Sequence, residues 1–98
     1  MEFKRIQDKV LYLLRIASSG KCTDADYSTI KTLSKEYSDN MIVGRVFGYS
    51  VSDYALATLK WLGDERSTKL FYDLSKDLPD HRRNGLNDLI NSNAYLQL

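Results

Sequence analysis

Cys22 and His81 are the only cysteine and the only histidine in this 98-residue chain, so nucleophilic catalysis would have to come from one dyad, a thiol activated by an imidazole within hydrogen-bond reach. They lie far apart in sequence, and His81, beside Pro79-Asp80, reads more simply as a solvated residue at a helix start. A metal centre needs three or four ligands at characteristic spacing. With one His and one Cys the rest would have to be carboxylates, which form no such set here. Asp24 with Asp26, and Asp77 with Asp80, are the close carboxylates that acid–base chemistry would use. Each pair flanks an expected helix end, where capping accounts for Asp24, Asp26 and Asp80. Gly44-Arg45-Val46-Phe47-Gly48 lacks the lysine and hydroxyl of a phosphate loop and the third glycine of a dinucleotide fingerprint. The chain is therefore read as a non-enzyme with no cofactor and no metal.

Phosphate recognition is the next chemistry to weigh. His81-Arg82-Arg83, with Lys76 nearby, could contact a backbone, and helices joined by short turns could hold a helix-turn-helix reader. However, the formal charge is only +1, from 14 basic and 13 acidic residues spread along the chain. Projection also sends Arg82 toward the Leu86/Leu89 stripe with its stem over apolar surface, so no continuous basic face forms. A nucleic-acid-binding or transcription-regulating role is the alternative, not the leading reading. The aromatic residues point elsewhere. Seven tyrosines and one tryptophan exceed what a core of this size needs, and Tyr, Trp and Arg dominate the energetic centres of protein interfaces. One tyrosine lying along a helix edge would be ordinary, but the set favours a protein partner.

The elements that must position these residues are helices. A chain of 98 residues fits one domain with a modest core. Phe3, Ile6, Val10, Leu13, Leu14 and Ala17 recur at helical spacing, and Ser18-Ser19-Gly20 stops the run. Thr23 with Asp26 is a capping-box variant that starts a second helix, carried by Tyr27, Ile30, Leu33 and Tyr37 to about Asp39-Asn40. Met41 to Tyr49 mixes β-branched residues with Gly44 and Gly48 and is read as a short helix or helical turn, with no strand elsewhere. Ser50 or Ser52 caps a helix to Leu62. Gly63 ends it, Asp64 caps the next to about Asp77, and Pro79-Asp80 opens a last one to about Asn91. The terminal residues Ala94 to Leu98 form a half turn or a docked tail.

Two projections matter. On the Ser52–Leu62 helix, Ala55, Leu56, Leu59 and Leu62 lie opposite Tyr54, Ala57 and Trp61, so it is apolar on two faces, as a middle helix must be. On the following helix Leu70, Phe71, Leu74 and Leu78 share a stripe and Tyr72 points away from it. Tyr12 likewise lies opposite the main stripe of the first helix. The apolar run Val10 to Leu14 is too short for a signal-peptide core or a membrane span, and the lone Cys22 favours a reducing cytoplasm.

Ala55-Leu56-Ala57 with Leu59, then Leu62-Gly63-Asp64-Glu65, then Leu70 to Leu78, resembles a HEAT repeat hairpin. Pro79-Asp80-His81-Arg82-Arg83 with Leu86, Leu89 and Ile90 is similar to the start of the next unit, though Gly85-Leu86 stands where an Ala-rich segment is usual. The resemblance implies an all-α, single small domain of five or six helices, built as HEAT-like helical hairpins or as a compact helical bundle. In stacked hairpins the second helices line one face, which would gather Glu65, Lys69, Tyr72, Asp73 and Lys76 into a partner-binding surface, with Tyr12 as a further contact. In size and in its Tyr-rich, mixed-charge surface the chain also looks like the small bacterial immunity proteins. That likeness implies a cytoplasmic protein that binds and neutralises a cognate toxin, with self-association a further option.

Overall fold

The helix ends form where the sequence supplies backbone partners for them. In the computed structural model, which describes residues 3–40 and 44–97, α1 spans Ile6–Ser19 and closes on Gly20, whose φ of 71° lets its N–H reach the Ile16 carbonyl at 3.0 Å. α2 spans Asp24–Leu33 behind a complete capping box. The Asp26 N–H donates to Thr23 Oγ1 at 3.1 Å, and the Thr23 N–H donates to Asp26 Oδ2 at 3.0 Å. α3 spans Val51–Leu62 and ends on Gly63 at φ 71°. α4 spans Glu65–Ser75, α5 spans Asp80–Ser92 after Pro79, and a 3₁₀ turn follows at Ala94–Gln97. The fold is all-α, as the apolar periodicity predicts.

α3 is the axis of the molecule. It packs against α1, α2, α4 and α5, and every residue from Val51 to Leu59 is buried. Leu56 and Leu59 meet Leu13 of α1, Ile30 of α2 and Leu89 of α5 in one core cluster. The expected two apolar faces merge into a helix buried all round. Polar groups on it are consequently bonded inside. Thr58 Oγ1 donates to the Tyr54 carbonyl at 2.8 Å and lies 3.3 Å from that of Leu13. At the buried N-terminus, Asp53 Oδ2 accepts from the N–H of Ser50 at 3.2 Å and from its hydroxyl at 3.1 Å.

Two elements differ from expectation. α2 stops at Leu33, well short of Asp39-Asn40, because the chain after it serves the buried donors at the start of α3. The Ser52 hydroxyl donates to the Ser34 carbonyl at 2.7 Å and the Ser52 N–H to that of Glu36 at 2.9 Å. Tyr37 therefore leaves the helix, and its hydroxyl donates to Asp39 at 2.6 Å. The stretch read as a short helix is instead a hairpin. β1, Arg45–Val46, runs antiparallel to β2, Tyr49–Ser50, pairing Arg45 with Ser50 and Val46 with Tyr49. Met41 to Val43 of that stretch lie outside the described residues. The turn residues Phe47 and Gly48 have φ of 53° and 86°, the sign pattern of the mirror-image turns whose twist suits a two-residue hairpin. Gly44, at φ 86°, permits a close approach as well, because a Cβ there would lie 2.7 Å from the Ser38 side chain. Tyr54 then pins the hairpin to α3 through a hydrogen bond to the Val46 carbonyl at 2.9 Å.

Candidate functional site

Turning its apolar stripe toward α3, α4 leaves a charged ridge in solvent. Leu70, Phe71, Leu74 and Leu78 pack on the core, while Glu65, Lys69, Tyr72, Asp73 and Lys76 are all exposed, Tyr72 at 66%. The structure therefore brings the expected set together around one aromatic. Lys69 and Asp73 also line a cleft of about 310 Å³ between α2 and α4, opposite Lys31 and Asp24. Arg66 stands in this cleft, its Nη1 2.6 Å from Asp24 and its guanidinium 4.1 Å from the Tyr27 ring centre. Below it, the Tyr27 hydroxyl is 2.7 Å from Ser67 Oγ and 3.3 Å from Asp64 Oδ2, which ties α2 to the start of α4. The ridge carries both signs of charge.

Tyr12 departs from its expected free aromatic role. It is half-buried, with Phe3 edge-on at 5.4 Å between ring centres, and its hydroxyl donates to Asp26 Oδ1 at 2.5 Å. Helix projection saw one helix alone, whereas Phe3 and the α2 cap close over its outer side. Burial and the neighbouring Asp26 carboxylate push the Tyr12 phenol well above its usual range. Asp26 itself is held below the ordinary carboxylate range, first by the Tyr12 hydroxyl and then by the Thr23 backbone N–H. Asp64 is lowered as well, chiefly by Ser67.

Depressed carboxyls in the folded state contribute stability that is present above their unfolded pKa of about 3.9 and is lost as pH falls through the folded value. The urea midpoint should therefore drop between about pH 5 and pH 2, and the double variant Asp26→Asn with Asp64→Asn should lose part of that slope and be less stable at neutral pH. An unchanged acid slope in the double variant would show that other carboxyls carry it.

The two catalytic candidates, Cys22 and His81, stand in different surroundings. Burial, and after it Asp26 and Asp64, push the Cys22 thiol up to about 11, which leaves on the order of one thiolate in ten thousand near neutral pH. His81 is exposed in the first turn of α5. Among the described residues, no group of three or more His, Cys, Asp or Glu could hold a metal ion. Both arginines beside His81 are engaged within the chain. Arg83 donates to the Leu78 carbonyl at 3.0 Å and the Lys76 carbonyl at 2.5 Å, closing the end of α4. Arg82 Nη2 donates to Ser52 at 3.0 Å with the guanidinium 3.8 Å above the Tyr37 ring, while its buried Nε has no partner among the described residues. Arg82 is thereby partly buried while Lys76, His81 and Arg83 stay exposed, and no helix among the described residues is long and apolar enough to cross a membrane.

Comparison with protein families, curated proteins and solved structures found no match. The surface itself is then the guide, and it holds a feature that the sequence reading missed. Phe47 is 92% exposed at the hairpin tip, in a left-handed φ that costs a non-glycine residue about 1–2 kcal/mol. Beside it, α1, the hairpin and the 3₁₀ turn enclose a groove of about 380 Å³. Leu11, Leu14 and Val46 line it together with Gln7, Ala94 and Gln97, and no lining residue is charged. The signal was present in Val46-Phe47-Gly48-Tyr49, a glycine-containing pair between β-formers, but a helical reading of the whole stretch concealed it.

Proposed function

We propose that this chain is a non-catalytic protein-binding module that holds and neutralises a partner protein, as an immunity protein does a cognate toxin, and that it works in the cytoplasm. The observation that carries the reading is Tyr72, exposed at 66% among Glu65, Lys69, Asp73 and Lys76 on a helix whose other side is fixed to the core. A protruding aromatic ringed by charges of both signs suits a specific protein surface, because the charges set register and reject wrong partners. A polyanion would instead ask for a basic stripe, and Arg82 and Arg83 are already engaged. The α3–α4 pair, joined at Gly63-Asp64 and followed by Pro79-Asp80, is in this reading a HEAT-like hairpin that presents its second helix.

The experiment uses the neighbouring reading frame. Its product, expressed alone in bacteria, should arrest growth, and co-expression of this chain should restore it through a complex that survives 0.15 M salt, where the Debye length is about 8 Å. Failure to restore growth, or duplex DNA binding at that salt with a steep salt dependence, would overturn the proposal and support the nucleic-acid alternative.

A further inference from the structure

A cavity of about 540 Å³ opens beside α1, and every residue that lines it falls between Phe3 and Asp26, so it shares nothing with the α4 ridge. Part of its wall is apolar. Ile16 is buried, Phe3 and Tyr12 meet edge-on at 5.4 Å, and Leu11 is exposed beside them. The two hydroxyls at the cavity are committed within the chain. That of Tyr12 donates to Asp26, while that of Ser19 donates to the Ile16 carbonyl at 3.1 Å and accepts from the Lys21 N–H at 3.1 Å. The two carboxylates are engaged as well, Asp8 with Arg5 at 3.6 Å and Asp26 with Tyr12 and with the Thr23 N–H at 3.0 Å. The two cations are not. Arg15 and Lys21 are exposed, and among the described residues neither belongs to an ion pair, the pairs being Arg5 with Asp8, Lys9 with Glu36 and Arg66 with Asp24.

We propose that this cavity is a binding site for a small apolar acid, whose ring or alkyl body lies against Phe3, Leu11 and Tyr12 and whose carboxylate meets Arg15 and Lys21. Each other class of occupant leaves part of the site unused. A neutral apolar molecule gives the two cations no counter-charge, an inorganic anion leaves the aromatic wall in water, and a cation is repelled. The polar groups still open to a ligand are the two cations, so recognition falls to charge-assisted hydrogen bonds, for which the planar fork of Arg15 suits a carboxylate. A volume of about 540 Å³ lies within the range of about 300–1,000 Å³ that small-molecule sites occupy. The chain of hydrogen bonds from Tyr12 through Asp26 to Thr23 ties the aromatic wall to the start of α2. The proposal does not depend on the α4 ridge.

Two dyes with the same rings read the charge directly. Anilinonaphthalene sulfonate, an apolar anion that fluoresces on leaving water, should titrate a single site on the full chain with a dissociation constant of about 10–100 μM. Phenylnaphthylamine, which lacks the sulfonate, should bind at least about tenfold more weakly. Naphthoate should displace the anionic dye, and the uncharged naphthamide should not. The double variant Arg15→Gln with Lys21→Gln should weaken the anionic dye at least about tenfold and leave the neutral one unchanged. Its thermal midpoint should stay within about 3 °C of wild type, because both side chains are exposed. Phe3→Ala should weaken both dyes, whereas Phe47→Asn, in the neighbouring uncharged groove, should alter neither. A wild-type chain that binds no anionic dye, equal affinity for the two dyes, binding indifferent to the double variant, equal displacement by naphthamide, or binding lost with Phe47→Asn would each overturn the proposal.

Discussion

Tyr54→Ala is expected to lower the free energy of unfolding by about 4 kcal/mol, a large part of what a small domain has. Three separate contributions are lost together. The ring is 2% exposed near the start of α3, it meets Tyr49 edge-on at 6.1 Å between centres, and its hydroxyl holds the Val46 carbonyl of the hairpin. Removing the ring leaves a cavity between α3 and α1, and removing the hydroxyl leaves a carbonyl without its donor. Tyr54→Phe isolates the second effect and should cost only about 1 kcal/mol. Urea unfolding followed by the fluorescence of Trp61 would measure both. A loss below about 1 kcal/mol for the alanine variant would mean that the hairpin and α1 collapse onto the space, contrary to a hairpin pinned in place.

Tyr72→Ala should do the opposite. Its ring covers no core residue, so stability should change by less than about 0.5 kcal/mol, while affinity for the partner should fall about thirtyfold, equivalent to about 2 kcal/mol. Titration calorimetry of wild type and variant against the partner, beside their unfolding curves, reads the two quantities separately. Loss of stability without loss of affinity would place the binding face elsewhere on the molecule.

The helices were legible because each is written twice, once as an apolar stripe and once as a cap. Thr23 with Asp26, Asp64 after Gly63, and Gly20 after α1 all stand where the sequence put them. The exposure of Tyr72 followed from the same stripe. What was not legible depended on partners distant in the chain. α2 ends early because Ser34 and Glu36 give their carbonyls to Ser52, and Tyr12 is covered because Phe3 and Asp26 fold over it. Neither fact is encoded in the spacing of any one helix. The hairpin was lost for a different reason. Its strands are two residues each, too short for alternation to show, and Phe47 is an improbable residue for a positive φ, so only the following glycine marked the turn.

The burial of α3 from Val51 to Leu59 has an evolutionary consequence. Its residues from Val51 to Leu59 each face a neighbour, so that stretch can drift only by concerted, volume-matched replacements. The ridge of α4 begins a few positions later and owes the core nothing at Glu65, Lys69, Tyr72, Asp73 or Lys76. The residues that set the shape and those proposed to meet a partner thus lie in adjacent but separate stretches of chain. Ridge side chains can be exchanged one at a time, each at a fold cost within about 0.5 kcal/mol, while the scaffold beneath stays fixed.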